Sequence, residues 1–180
     1  VTQLIRTGVD LLNGTPSIVF GLFGFAFIVL YLNMGVSMLA GQVTLALMVL
    51  PTVIRTTEEA LKSIPLSLRE GSLALGATKW QTISRVVLPP AVPGIVTGAI
   101  LSIGRAAGET APIMFTAVVF SSRFLPDSIS DPVMALPYHL FILATNVPGA
   151  SANKYGTALV LLMLVVSFYA VAIAVRRRFQ

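Results

Sequence analysis

The chain has 180 residues, 56% hydrophobic and 11% charged, with a mean hydropathy of +0.89; such a chain cannot cover a compact soluble core with polar surface, and it reads as an integral membrane protein. A net charge of +5 would point a soluble protein toward nucleic acid, but here the basic residues sit in short segments between apolar stretches, where membrane topology puts them, so nucleic acid is excluded as a partner. The chain has no cysteine, so neither a disulfide framework nor a thiolate metal site is available.

In chain order, Val1, Leu4, Ile5, Val9 and Leu12 share one helical face, an amphipathic pattern suited to the bilayer surface or to the tail of a preceding helix. Val1 is not a methionine and no signal-peptide pattern opens the chain, which reads as a segment of a longer or processed protein. Gly14-Thr15-Pro16-Ser17 turns into a first span over residues 17–32, with Pro16 at the first helical position, and Asn33-Met34-Gly35 breaks it. A second span covers residues 36–54, with a kink predicted at Pro51.

Thr56-Thr57-Glu58-Glu59 reads as a capping box, and Ser63-Ile64-Pro65 with Ser67-x-x-Glu70 restarts a helix. That helix ends at Gly76, Thr78 to Gln81 caps a second one, and Pro89-Pro90 stops it. The stretch Glu70 to Pro89 is therefore a polar helix-turn-helix outside the bilayer. Leu73, Ala77, Trp80, Ile83, Ser84 and Val87 recur at helical spacing, predicting one apolar face packed on the membrane helices or on a partner.

A third apolar stretch, residues 91–120, holds Gly94-x-x-x-Gly98 and Gly104-x-x-x-Gly108, small residues that let helix backbones approach closely. Residues 121–155 form a long connection with Pro126, Pro132, Pro137 and Pro148; its apolar piece Tyr138 to Ala144 is too short to cross a bilayer and reads as an interfacial or re-entrant helix. A final span over residues 156–175 closes on Arg176-Arg177-Arg178. Arg55, Lys62, Arg69, Lys79, Arg85 and the three terminal arginines outnumber Arg123 and Lys154 of the connection. The positive-inside rule then assigns loop 55–90 and the C-terminus to the cytoplasm and loop 121–155 to the outside.

Gly71 to Thr78 has the spacing of the phosphate-cradling motif GxxxxGK[ST], but Ala77 stands where the lysine would be, so this chain is not expected to hydrolyse ATP. Arg105 lies about 18 Å along a helix from Pro93, well inside the hydrocarbon. An arginine there costs roughly 2.5 to 3.5 kcal/mol, which demands a bundle interior or a wet path and a partner. Glu109, one turn on along the same face, supplies that partner. The pair is either structural glue or the lining of an oxyanion path, Arg105 attracting the charge and Glu109 accepting a hydrogen bond from a protonated oxygen. Phosphate keeps a proton at neutral pH and sulfate does not, so such a carboxylate suits phosphate. His139 is the single histidine and has no ligand cluster around it, so no metal site is expected. Trp80 reads as an aromatic knob for a partner or as an interfacial anchor, and Asp127 and Asp131 as parts of a solvated loop or as contacts for a partner outside.

Two of these stretches carry a family resemblance. Glu70-Gly71-Ser72, Gly76 and Val86-Val87-Leu88-Pro89 follow the spacing of the cytoplasmic "EAA" loop of ABC-importer permeases, EAA(x3)G(x9)IxLP, with small or branched residues at the departures. Arg105-Ala-Ala-Gly-Glu-Thr-Ala-Pro-Ile113 and Thr15-Pro-Ser-Ile-Val-Phe-Gly21 resemble the PstA-type permeases of phosphate-specific ABC importers. The resemblance implies an all-α type I importer permease fold of six spans, of which four are visible here. It implies a substrate pathway at Arg105, Glu109 and Thr110, and ATPase coupling through Glu70, Gly76, Ala77, Trp80, Leu88 and Pro89. The implied partners are two copies of a subunit that binds ATP, a second similar permease, a periplasmic or lipid-tethered phosphate-binding protein and membrane lipid, in a bacterial or archaeal cytoplasmic membrane; no cofactor is implied in this chain. Other readings are a permease for molybdate, sulfate or phosphonate, a proton-coupled carrier using Glu109, and a non-transport scaffold.

Overall fold

A computed structural model describes residues 2–120 and 125–177. The expectations resting on Val1, Arg123 and Arg178 lie outside it. Among the described residues the fold is helical: α1 (Thr2–Asn13), α2 (Ser17–Tyr31), α3 (Met38–Lys62), α4 (Leu66–Ala74), α5 (Lys79–Gly108), α6 (Ala111–Thr116), α7 (Leu136–Thr145) and α8 (Ser151–Arg177). A lone backbone bridge between Val118 and Val133 is the extended pairing present among them.

Helices α3, α5 and the Ser151–Ala174 part of α8 are long and apolar enough to cross a membrane; α1 and α2, bent by 103° to each other, reach that standard only together. Alone, α2 is about 22 Å long at 1.5 Å per residue, and its second half is π-wound over Phe25–Tyr31. It ends where Asn33 (φ 53°) and Gly35 (φ 67°) take left-handed backbone, the conformation asparagine and glycine tolerate best. The amphipathic segment becomes α1, but among the described residues of its apolar face only Val9 is buried. Ion pairs instead fasten α1 to the far end of α3: Arg6 Nε lies 2.6 Å from Glu58, and Arg55 bridges Asp10 at 3.3 Å and Glu59 at 2.9 Å.

Three sequence expectations are corrected here. Thr56 to Glu59 caps nothing, because α3 runs unbroken to Lys62; Thr56 instead turns its hydroxyl back to the Thr52 carbonyl at 2.9 Å, and the two glutamates join the ion pairs to α1. The α4 helix begins at Leu66, with Pro65 in the N-cap position and no side-chain cap, so Ser67 and Glu70 lie inside it. Pro89-Pro90 do not stop a helix: α5 passes through them, preceded by a π turn over Ile83–Val87. The rings of Pro89 and Pro90 would strike the carbonyls of Arg85 and Val86 in a regular helix. Both carbonyls lie in the wider π turn, where Leu88 N–H bonds to the Ile83 carbonyl, a device that lets a helix absorb prolines.

Small residues set the packing. On α5, Gly94 faces Ala60 and Gly98 faces Thr56 of α3, so close that an added Cβ would collide with them. Gly104 approaches Tyr169 of α8, whereas Gly108 faces open space. Gly21 of α2 rests on Ala111 and Pro112, Gly24 on Thr44 and Thr116, and Gly41 of α3 on Ala117. Helix α8 is otherwise exposed, with Leu162, Met163, Val166 and Val171 open along it, as suits a span facing lipid.

The largest buried cluster, Ile113, Ala117, Val118, Tyr138 and Ile142, joins α6 and α7 to the connection between them. That connection also caps α3. The free N–H groups of Ser37, Met38 and Leu39 bond to the carbonyls of Thr116 (3.0 Å), Asp131 (2.8 Å) and Ile129 (2.9 Å), as the orphan donors of a helix start require.

Candidate functional site

The hinge is built by local chemistry. Helix α4 ends in a Schellman turn: Gly76 has φ +83°, its N–H bonds to Leu73 O at 3.0 Å, and Ala77 N–H to Ser72 O at 3.2 Å. Two residues on, Thr78 and Gln81 form a reciprocal capping box, Thr78 Oγ1 accepting from Gln81 N–H at 3.2 Å and Gln81 Oε1 from Thr78 N–H at 2.8 Å. The segment with phosphate-loop spacing is thus a helix stop followed by a helix start, and its amides at Gly76 and Ala77 are already bonded.

Side-chain contacts that the sequence did not reveal hold the hinge in place. Ser72 and Thr82 hydroxyls meet at 3.0 Å between α4 and α5, and Arg69 Nη2 donates to the Leu61 carbonyl in the last turn of α3. Helical wheels of a single continuous helix could not reveal either contact, since both cross a turn. The predicted apolar stripe over Leu73 to Val87 is also corrected: the turn splits it, Val87 is buried, and Leu73, Trp80 and Ile83 stand exposed. Leu75 is 90% and Trp80 74% exposed, and Glu70, Leu88 and Pro89 are exposed beside them. The hinge therefore presents apolar side chains outward, away from its own membrane helices.

The second site lies at the other end of α5, about 45 Å from Lys79 at 1.5 Å per residue. The expected continuous span over 91–120 is broken there: α5 ends at Gly108, Glu109 is extended (φ −73°, ψ 137°), and the short α6 restarts at Ala111 from Thr110. Pro112 explains the stop, because it has no N–H for the Gly108 carbonyl and its ring would collide with it. Thr110 accepts the Met114 N–H at 3.0 Å and so opens α6.

Arg105 Nε lies 3.5 Å from Glu109 Oε1 across this break, with side chains 40% and 16% exposed. A cation in the last turn of α5 also complements the partial negative charge of the helix end. Glu109 lines a cavity of about 190 Å³ roofed by Val133 and Ala135 of the connection and Pro137 at the start of α7, and walled by Gly41, Gln42 and Leu45 of α3. Gln42 is a residue the sequence reading missed; the signal was a lone amide in a stretch otherwise of apolar residues, glycine and threonine. His139 lies on α7 near Asn153 and Thr157, and no cluster of metal-ligating side chains occurs among the described residues. Asp131 caps its own loop, accepting from the N–H groups of Asp127 at 3.1 Å and Ser128 at 2.9 Å.

Residues 1–180 match the family model described as "Binding-protein-dependent transport system inner membrane component". The chain is 37% identical over 181 residues to the probable ABC transporter permease protein YqgI of Bacillus subtilis, covering 93% of this chain and 62% of that protein. It is 44% identical over 163 residues to the phosphate transport system permease protein PstA of Yersinia pestis, covering 91% and 53%, and 44% identical over 159 residues to that of Mycobacterium leprae, covering 87% and 52%. The chain thus spans between about half and three-fifths of the length of these relatives. In fold it matches a chain of the inward-facing MetNI methionine ABC transporter with a TM-score of 0.77 at 20% identity, over 99% of this chain and 76% of that one.

Proposed function

The chain belongs to the family of binding-protein-dependent transport system inner membrane components, with the fold of a type I ABC-importer permease, and from that premise we propose that it is part of the permease of an ATP-driven importer of inorganic phosphate. The observation that carries the reading is the Arg105–Glu109 pair at 3.5 Å, set at a broken helix beside a cavity within an otherwise apolar span. Ionisable groups at membrane depth are costly and mark transport paths. The cation attracts a tetrahedral oxyanion, and the carboxylate accepts a hydrogen bond from the oxygen that remains protonated at neutral pH. Thr110, at the same break, adds a hydroxyl to the path. Relatives named as phosphate permeases support phosphate over molybdate, sulfate or phosphonate.

No covalent chemistry is assigned to this chain. ATP is bound and hydrolysed by a separate subunit, present in two copies, which docks on Glu70, Gly76, Ala77, Trp80, Leu88 and Pro89. A second, PstC-like permease completes the path, and a periplasmic or lipid-tethered phosphate-binding protein delivers the anion. Closure of the ATPase pair moves the hinge, and the continuous helix α5 carries that movement to Glu109, switching access from one side to the other. A proton-coupled carrier would have no use for an exposed apolar docking hinge.

Arg6, Arg55 and Lys62 gather at the hinge end of the bundle, and Arg176 joins them there by donating to Thr97 at 3.3 Å. The positive-inside rule then turns the hinge and the C-terminus toward the cytoplasm of a bacterial or archaeal cell. The test is labelled phosphate uptake by cells carrying the full-length permease with Glu109→Gln. An assembled complex with uptake reduced at least a hundredfold is expected; undiminished uptake would remove the pair from the pathway.

A further inference from the structure

Helix α3 carries few polar side chains in its apolar part, and they behave differently. The Thr44 hydroxyl donates to the Ala40 carbonyl at 2.8 Å, and that of Thr52 to Asn13 Oδ1 at 3.0 Å, so each is satisfied inside the chain. Gln42, two residues before Thr44, is exposed and makes no hydrogen bond to any described residue. Its two donors and its acceptor are therefore open to a ligand. It lines the same cavity as Glu109, and the two are the polar side chains among walls otherwise formed by residues such as Leu45, Ala107, Ile113 and Val133.

We infer that Gln42 is a specificity residue of the anion path, its amide N–H₂ donating to an oxygen of the tetrahedral anion while Glu109 accepts from the protonated one. This rests on the pathway reading of Arg105 and Glu109. An amide adds donors without adding charge, and it can turn its carbonyl toward a protonated oxygen. The site then holds a cation, a neutral donor and an acceptor, which matches an oxyanion with one proton and leaves the carboxylate unpaired when the anion has none. Gln42 stands about one turn into α3, beside the roof formed by residues 133–137. The segment just before that roof is tied to the first turn of α3 by the bonds from Met38 and Leu39 to Asp131 and Ile129, so the roof and the start of α3 share one anchor.

The experiment uses the complete transporter, with the full-length permease freed of cysteines and the binding protein saturated with phosphate. Gln42→Leu keeps the volume and removes the donors; uptake of labelled phosphate should fall about tenfold or more, from the loss of one hydrogen bond to a charged group, with membrane content and ATPase association unchanged. In parallel, Gln42→Cys should react with a small anionic thiol reagent, and inorganic phosphate should slow that reaction, whereas Val43→Cys, one residue round the helix, should be indifferent to phosphate. Wild-type uptake by Gln42→Leu, or labelling at position 42 that phosphate does not slow, would overturn the assignment. Glu109→Gln separates the two failures: a dead Glu109→Gln beside a normal Gln42→Leu removes Gln42 alone, while normal uptake by both removes the pathway reading itself.

Discussion

The two ends of α5 are both places where a helix stops and another begins, yet they are made in opposite ways. At the hinge, Gly76, Thr78 and Gln81 close their own backbone bonds within a few residues, and large apolar side chains are left standing outward. At the Glu109 break, Thr110 opens α6, but the segment is held by neighbours from α2 and α3: Gly21 beneath Ala111 and Pro112, Gly24 beneath Thr116, Gly41 beneath Ala117. A locally built turn keeps its shape when a partner pushes on it. A turn held by tertiary packing changes shape when those neighbours move, which is what the pathway proposed above would require of a gate.

The largest effect separating the two regions should come from the charge at the break. Arg105→Ala leaves Glu109, 16% exposed, without its counter-charge in an apolar cavity, and an unpaired charge in such a place is strongly destabilising or neutralised. Phosphate uptake should fall at least a hundredfold, while the hinge still binds the ATPase subunit in pull-down. Loss of both together would mean that the pair holds the fold and that the two ends of α5 are not separable.

Next in size is Gly76→Val. No atom lies within 4 Å of the position a Cβ would take, but φ is +83°, so the penalty is purely conformational. It amounts to about 1 to 2 kcal/mol for placing an L side chain in left-handed backbone. The expected result is a permease that inserts normally and transports several-fold more slowly per ATP hydrolysed. Gly76→Asn, which tolerates that backbone, should lie between it and the wild type. Equal transport by all three would break the comparison, because the hinge would not then depend on its own turn.

This contrast also governs what could be read from the chain before its structure. The Schellman turn, the capping box and the Gly94–Gly98 seam were legible because their causes lie within a helical turn or two. Arg105 and Glu109 were legible for the same reason, their spacing being one turn. Prolines were not. Pro89, Pro90 and Pro112 carry the same local signal, a missing N–H and a ring that strikes the carbonyl four residues back. A π turn absorbs the first two, while at Pro112 the helix ends and the short α6 packs under Gly21. Which outcome occurs depends on what waits beside the chain. The unbroken reach of α3 through Thr56 and Glu59 has the same origin: a capping-box pattern is overruled where the segment packs against α5 and α1. Gln42 escaped notice because a cavity is a property of several elements at once.

The smallest effect tests the hinge at the level of one hydrogen bond. Thr78→Ala removes the oxygen that accepts Gln81 N–H at 3.2 Å but leaves the return bond from Thr78 N–H to Gln81 Oε1 at 2.8 Å. Water replaces the lost partner at this exposed site, so the change should be near the usual 1 kcal/mol for a lost N-cap, or roughly fivefold faster amide exchange at Gln81. Thr78→Ser should restore protection, since it returns the hydroxyl without the methyl. Transport should barely alter, because the Schellman turn at Gly76 and the Ser72–Thr82 contact still fix the angle of the hinge. If Thr78→Ala instead slowed transport as much as Gly76→Val, the working part of the hinge would be the start of α5 and not the stop of α4. The force from the ATPase would then enter the membrane through the first turn of α5 alone.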